Sequence, residues 1–520
     1  MLRSHLLLPR ALECRKAIEQ RPASGIIVQE SALYVEGAGV GMGEYCMLDG
    51  SAAPSRQYGA AGKPGLKGAS PVGTRLSRRD FVRGATLATG AAMVAPRALA
   101  QQSPNETLGV AVIAVGGMGG YAVDAGLTER VVAFADIDDG RMAEALKKAA
   151  ERRPDLPAPR AYADYRKMLD ECRKDIDVVL ISTPDHHHAT AAMRAINMGK
   201  HVFVQKPLAY TIGECRALAR AAKRHKVLSQ MGNQGHCGEA IRRACEYLWD
   251  GCIGNVTETH SILGRNFGGS GGRPETKPTP AGVHWDEWIG GSPYRDYHDG
   301  LHPFSWRSWR DFGTGTIGDM ACHNLDVLFW ALKVGEAKTL TLECLNTSGG
   351  SAEMFQQDNV VRYDVPARAD MPPLKVYVYD HQGLKPPVML ETEKECEVKF
   401  SECTLFLGEK GKFWTTGTAG QARILPLEKH AEYPAPAQTL PRAHGGPIED
   451  LFWAIKNNGV PCSNIPDASG PLTEFALLGH LAQKAGVGQK VEWDVERMRC
   501  TNLPELNELV RRKYRSGWRI

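Results

Sequence analysis

The sequence predicts an α/β domain on a doubly wound parallel sheet, followed by an α+β domain with a large open, mostly antiparallel sheet. Three observations carry this. From Leu108 to Met231 short apolar strands alternate with helical stretches, the pattern of a parallel sheet buried on both faces. A glycine-rich turn follows the first strand, Val115-Gly116-Gly117-Met118-Gly119-Gly120. Beyond Gly232 the pattern changes to strand-like runs separated by Gly/Pro loops, the longest being Gly268–Pro280, which reads as an open antiparallel sheet.

The strands of the first domain are predicted at Leu108–Ala114, Val131–Ala135, Asp177–Ser182, His201–Val204 and Val227–Met231. Helices such as Gly140–Glu151 and Gly213–Lys226 lie between them. In the second domain Asn255–Leu263, Thr339–Asn346, Leu374–Tyr379 and Cys403–Leu407 read as strands.

Ahead of both domains stands an export signal. Ser77-Arg78-Arg79-Asp80-Phe81-Val82 opens a weakly apolar stretch, Gly84–Ala95, and Ala98-Leu99-Ala100 offers a small-x-small cleavage site. This predicts passage through the twin-arginine translocation machinery and a periplasmic or exported location. The apolar stretch falls short of the roughly 20 residues a membrane span needs. The expected divisions are therefore 1–71, without sustained helical or strand period and read as disordered or as a start placed too far upstream; 72–100, the signal; 101–232; and 233–520.

The 420 residues from Gln101 onward exceed what one core usually holds. With 43% hydrophobic and 23% charged residues the composition is that of an ordinary globular protein. A net charge of +4 with no basic tract gives no case for nucleic acid. Thirteen cysteines include Cys14 and Cys46 ahead of the signal, and none forms Cys-x-x-Cys. Scattered buried thiols are expected rather than a zinc ribbon.

The glycine turn reads Ala114-x-Gly116-x-x-Gly119, or in an offset register Gly117-x-Gly119-x-x-Ala122. Glycines here let the backbone turn tightly and approach a pyrophosphate at a helix N-terminus. Asp136 falls at the end of the second strand, 20 residues after Gly116. A carboxylate there binds a ribose 2′-hydroxyl and repels a 2′-phosphate, which favours NAD; Arg141 nearby leaves NADP open. Gly116, Gly117, Met118, Gly119 and Asp136 are the candidate dinucleotide contacts of this Rossmann-type turn.

Further motifs sit at later strand ends, where such sheets bind ligands. Ser182-Thr183-Pro184-Asp185-His186-His187-His188 holds three adjacent histidines. Adjacent residues point apart and no partner has metal-site spacing, so no metal is expected. Thr183, Pro184 and His188 are read as a loop beside the nicotinamide ribose, with His188 starting the next helix. Val204-Gln205-Lys206-Pro207 places a lysine at a strand end, either aimed into the cleft or on the surface. In the second domain Asp319 and His323 are four apart on one helix face, and Asp326 follows. Taken alone, a helix cap at Asp319 and a satisfied, half-buried His323 explain them better.

With Asp136, Thr183-Pro184-Asp185-x-x-His188 and Gln205-Lys206-Pro207 in this order, the chain resembles the Gfo/Idh/MocA oxidoreductases, relatives of glucose–fructose oxidoreductase and inositol dehydrogenase. Exported members are the nearest in pattern. Gln230-Met231-Gly232-Asn233-Gln234-Gly235-His236, Trp306-Arg307-x-Trp309-x-Asp311-Phe312-Gly313-Thr314-Gly315, Gly408-Glu409-Lys410-Gly411-Lys412 and Gly470-Pro471-Leu472-Thr473-Glu474 also match. The family's Glu-Lys-Pro is Gln205-Lys206-Pro207 here: the lysine is kept and the carboxylate is not.

The resemblance implies that the open sheet closes over the nicotinamide. It implies His323 as base, Lys206 as alkoxide stabiliser and Asp319 as orienting partner of the histidine, with Gln205, Lys206 and Asn233 near the cofactor. Trp306, Arg307, Trp309 and Asn324 would meet the substrate; the tryptophans equally suit a core cluster. It also implies a homo-oligomer, dimer or tetramer. The expected activity is NAD(P)-dependent oxidation or reduction of a sugar, polyol or glycoside CH–OH group with a tightly held, self-recycled cofactor. The alternative is redox-neutral glycoside cleavage through a transient keto-sugar. A sugar-binding protein on a retired fold is a third possibility, opposed by the retained Lys206, Asp319 and His323.

Overall fold

In the computed structural model the structure describes residues 107–520; the segment 1–71 and the export signal at 72–100 lie outside the described residues. Six parallel strands form the first sheet: β1 Gly109–Ile113, β2 Arg130–Ala135, β3 Arg160–Tyr162, β4 Val178–Ile181, β5 His201–Val204 and β6 Ser229–Met231. Their order is β3-β2-β1-β4-β5-β6. The order reverses between β1 and β4, and that switch point opens the crevice in which such sheets bind ligands. Central strands read Val110-Ala111-Val112 and Val178-Val179-Leu180-Ile181 with no exposed residue, because helices cover both faces.

β3 is absent from the sequence expectation. Its three residues are Arg160-Ala161-Tyr162, exposed or half-buried at the sheet edge, too short and polar to register as a strand. A second difference concerns the histidine run. The helix after β4 spans Asp185–Asn197, so it begins three residues before His188. Pro184 precedes it with extended backbone, and Asp185 sits in its first turn where the helix dipole favours a carboxylate.

Nine strands form the second sheet: β7 Val256–Ile262, β8 Thr339–Ser348, β9 Asp358–Val365, β10 Leu374–Tyr379, β11 Cys403–Gly408, β12 Gly411–Thr416, β13 Ala422–Leu425, β14 Lys490–Asp494 and β15 Arg499–Cys500. The order is β13-β12-β11-β7-β10-β9-β8-β14-β15. Only β7 and β10 pair in parallel; the other pairings are antiparallel. Gly408 faces Gly411 across a two-residue turn, Glu409-Lys410, so that glycine motif is a hairpin turn.

The two cores are not cut at residue 232. The helix Pro447–Asn457 puts Ile448, Leu451 and Phe452 into the first domain's core with Val110, Ala122, Phe134 and Phe203. Its Glu449 accepts a 2.8 Å bond from Tyr121. The chain thus returns to complete the first domain. At the C-terminus, Pro504–Val510 is a 3-10 stretch. Trp518 is buried edge-on against Tyr165 and His187, with the Arg166 guanidinium 3.9 Å from its ring centre. No helix among the described residues is long and apolar enough to cross a membrane.

Candidate active site

The glycine turn settles into the register Ala114-x-Gly116-x-x-Gly119. The helix Gly119–Gly126 starts at Gly119, and a Cβ there would lie 2.1 Å from the Ala114 carbonyl oxygen. Ala114 itself adopts φ +64°, the left-handed conformation for which the usual first glycine is suited. Replacing Gly119 with alanine should therefore push the helix away from β1 and abolish dinucleotide binding, read by fluorescence titration. Retained affinity would show that the turn tolerates the displacement.

Asp136 ends β2 beside this turn. Its Oδ2 accepts 2.7 Å from Val115 N–H and its Oδ1 3.0 Å from Asp138 N–H. Burial raises its pKa, opposed by those two bonds and by Arg141. Arg141 packs over Gly116, where a Cβ would meet it at 2.4 Å, and lies 3.7 Å from Asp138. Met118 and Gly117 are exposed at the tip of the turn. The buried hydroxyls of Ser182 and Thr183, at the end of β4, have no hydrogen-bond partner among the described residues. A turn that only glycine can close, a carboxylate at the end of β2 and two orphaned hydroxyls at the switch point fit NAD.

At the end of β5, Lys206 reaches across to the second domain. Its Nζ lies 2.8 Å from Asp319 Oδ2, and Arg307 Nε lies 3.2 Å from Asp319 Oδ1. Asp319 sits in the middle of the helix Gly315–Asn324, every residue of which is buried; it does not cap that helix. Burial alone would raise the Asp319 carboxyl, but Lys206 and Arg307 outweigh it and hold the pKa below the ordinary value. Burial likewise pulls on Lys206, and Asp319 more than restores it, leaving the ammonium above its usual pKa. The pair is ionised.

His323 follows one turn on. Its Nδ1 is buried with no partner among the described residues. Burial, then Lys206, drive its pKa down to about 3, so the ring is neutral and not poised near pH 6.5 as free histidine is. Asp319 makes no hydrogen bond to this ring; both its oxygens go to Lys206 and Arg307. The orienting contact expected between Asp319 and His323 is therefore a contact with the lysine instead, because the helix turns Asp319 toward the β5 loop.

The helix ends at Asn324, and a second one starts at Asp326. Asp326 thereby leaves the His323 face and bonds His236 Nδ1 at 2.9 Å and Asn233 Nδ2 at 2.9 Å. Asn233 also accepts 2.6 Å from Ser463, so its amide braces the β6 loop. Asn324 donates 2.7 Å to the Ile262 carbonyl of β7, tying the site helix to the sheet, while its Oδ1 is buried and unpartnered among the described residues.

The histidine run is a brace. His186 Nε2 and His187 Nε2 both approach the Trp288 carbonyl, at 2.8 and 2.9 Å. His188 lies between the Pro207 and Thr183 carbonyls, at 2.7 and 2.8 Å, and links the two cofactor-side loops. The ring nitrogens are turned to backbone oxygens, or in the case of His187 Nδ1 to the Tyr165 hydroxyl, rather than to one another. Gln205 is buried, and its Oε1 accepts 2.9 Å from Lys206 N–H; it supports the loop, as alternation along a strand predicts.

The tryptophans divide. Trp309 is buried in a cluster with Trp285, Trp288, Leu301 and Phe312 and donates 2.8 Å to the Gly300 carbonyl; it is core. Trp306 belongs to the same cluster but lies 4.3 Å from the Arg307 guanidinium, backing the site. Sequence reasoning missed two carboxylates. Asp185 Oδ2 accepts 2.6 Å from Thr314, and burial, then Asp319, raise its pKa to about 7. Half-buried Glu402 is raised by burial and lowered by Arg265 and Lys206. Asp185 was visible inside the Thr-Pro-Asp motif; Glu402 had no signal, because only the β7–β11 pairing brings it near.

Two family models match the chain. Residues 108–233 match the Gfo/Idh/MocA oxidoreductase family's NAD-binding Rossmann fold, and residues 266–351 match its C-terminal alpha/beta domain. The chain belongs to the Gfo/Idh/MocA oxidoreductase family. Its first domain is accordingly an NAD-binding domain. Among curated relatives, levoglucosan dehydrogenase of Pseudarthrobacter phenanthrenivorans is 28% identical over 190 residues, 35% of this chain and 41% of that protein. Inositol 2-dehydrogenase of Salmonella typhimurium is 32% identical over 155 residues, 30% of this chain and 42% of that protein. The match thus spans about two fifths of the length of these relatives. A solved aldose–aldose oxidoreductase from Caulobacter crescentus, complexed with glycerol, aligns over 74% of this Gfo/Idh/MocA chain and 99% of its own, with 17% identity and a TM-score of 0.49.

Proposed function

We propose that this Gfo/Idh/MocA protein is an NAD-dependent oxidoreductase acting on a CH–OH group of a sugar, polyol or glycoside. The observation that carries it is the buried Lys206–Asp319 pair, which joins the β5 loop of the NAD-binding domain to the helix that presents His323. Bound NAD supplies hydride chemistry at the carbinol carbon. Lys206, kept cationic by Asp319, donates to the carbinol oxygen and stabilises the negative charge developing there. His323, neutral and with its Nδ1 unpartnered among the described residues, accepts the hydroxyl proton. Arg307 holds the second oxygen of Asp319, so the carboxylate stays ionised while Lys206 engages substrate.

The twin-arginine signal belongs to the same proposal. Outside the cytoplasm the protein has no free nicotinamide pool to reset it, so it keeps its dinucleotide through the cycle and couples oxidation of one carbohydrate to reduction of a second. Relatives named for levoglucosan and inositol support a carbohydrate substrate. Self-association into a dimer or tetramer through the open sheet completes the reading.

Mass spectrometry of nucleotide released from native exported protein, with a sugar panel followed by cofactor absorbance, tests it. Bound NAD and sugar-dependent absorbance change are expected. Protein without nucleotide, inert to every sugar even when NAD is added, would overturn it. Aglycone release from a glycoside without net cofactor reduction would select the redox-neutral alternative. Within the site, His323→Ala should lower kcat by about 10²- to 10⁴-fold, the usual range for a proton-transfer group. Near-normal turnover would remove His323 from the base role.

A further inference from the structure

A second reactive cluster lies behind the β6 loop. Cys237 Sγ and Cys462 Sγ are 2.9 Å apart, although 225 residues separate them in the chain. Both are half-buried. Gln230 Nε2 sits 3.5 Å from each sulfur. Asp450 completes the only group of metal-ligand type found among the described residues. Its carboxylate is already engaged, however: Oδ2 accepts 2.8 Å from Cys462 N–H and Oδ1 accepts 2.9 Å from His444 N–H. That leaves two sulfurs in contact and a carboxylate committed to holding the loop of one of them.

We propose that Cys237 and Cys462 are a disulfide-forming pair that staples the β6 loop to the segment leading into helix Gly470–Leu477. The oxidant is an external small disulfide. The Cys462 thiolate attacks one sulfur of that disulfide, forming a mixed disulfide and expelling one thiolate. Cys237, losing its proton to solvent, then attacks the Cys462 sulfur and expels the second. Two protein thiols are oxidised, one small disulfide is reduced to two thiols, and the expelled thiolates take up the two protons.

The order of attack follows from the surroundings. The hydrogen bond from Cys237 stabilises the Cys462 thiolate, with His236 adding to it against burial, so that its pKa is lowered from the ordinary thiol value. The same bond, together with burial, raises Cys237. A thiol with a pKa close to ambient pH is the better attacking group. The consequence for the site is direct. Ser463, the neighbour of Cys462, bonds Asn233, and Asn233 bonds Asp326 in the helix that follows His323. Cross-linking 237 to 462 holds that chain of contacts together; on the proposed reading that the protein is exported, it works where thiols are not kept reduced.

The test uses the full-length protein and glutathione disulfide. Non-reducing peptide mapping after treatment should show the 237 and 462 peptides joined, with the free-thiol count reduced by two. Because the closed loop is long, Tm should rise by about 5 °C or more over the reduced protein. Cys237→Ser should trap one glutathione on Cys462, and neither Cys237→Ser nor Cys462→Ser should show the redox-dependent Tm shift. An unchanged thiol count in wild-type protein, a Tm shift that survives in both variants, or one equivalent of zinc released when the thiols are blocked would each overturn the proposal.

Discussion

Lys206→Met should reduce kcat by 10²- to 10³-fold or more while leaving NAD bound. A preorganised donor at a developing oxyanion is worth about 3–4 kcal/mol of barrier when removed, and methionine preserves the length of the side chain without its charge. The same change should destabilise the fold. Asp319 is almost fully buried and its lysine partner is 13% exposed, and breaking such a pair costs about 3–5 kcal/mol because a buried charge is left behind. Arg307 still holds one oxygen of Asp319, so the low end of that range is expected. The double variant Lys206→Met/Asp319→Asn separates the two effects. Removing both charges should recover only part of the urea-unfolding stability, because Arg307 then loses its partner carboxylate, and none of the activity. If the single variant turns over at a normal rate, Lys206 is a structural cation and the proposed mechanism loses its central group. If the double variant remains as unstable as the single one, the loss lies in packing or in the Arg307 charge left without Asp319 rather than in an uncompensated carboxylate.

Stability should fall steeply as pH drops from about 6.5 to 4.5. Burial lowers the pKa of His187, His188 and His480 to about 4 and of His323 to about 3; His186 is shifted the same way. An unfolded chain protonates these rings near pH 6.5 and the folded one does not, so the unfolded state binds more protons in this window. Each ring then costs about 1.4 kcal/mol per pH unit until it titrates in the fold. Two buried carboxyls oppose this. Asp185 is raised to about 7 and Asp380 to about 8. Each contributes stability that is fully present below the unfolded pKa near 4 and is lost as pH rises through the folded value. Five rings against two carboxyls leave a net excess of about three protons on the unfolded chain, or about 4 kcal/mol per pH unit. Urea midpoints at pH 7, 6 and 5 should fall in that order. A midpoint that is constant or rises toward pH 5 would mean that the histidine brace accepts protons without unfolding.

Much of the first domain was legible because its signals are local. The buried strands are continuous apolar runs, and the Gly116–Gly119 turn and Asp136 stand at their required spacing. His201–Val204 and Leu374–Tyr379 were placed residue for residue. The errors have equally physical sources. β3 is polar because it is an edge strand, and the helix beginning at Asp185 was placed late because three histidines disguise its first turn. Trp309 carried no sign of whether it faced substrate or core, since a tryptophan serves both and only its surroundings decide.

The sequence by itself determined the strand–helix alternation of the first domain, the dinucleotide turn and the presence of Lys206, Asp319 and His323, because each depends on residue type and short-range spacing. Only the tertiary structure decided what these residues do to one another. Lys206 and Asp319 lie 113 residues apart in the chain, and their pairing depends on how two sheets and one buried helix meet. That meeting assigns Asp319 to the lysine rather than to His323, takes water away from the histidine, and returns the helix Pro447–Asn457 to the first domain. Burial and long-range electrostatics arise from the packed volume as a whole, and no spacing along the chain encodes them.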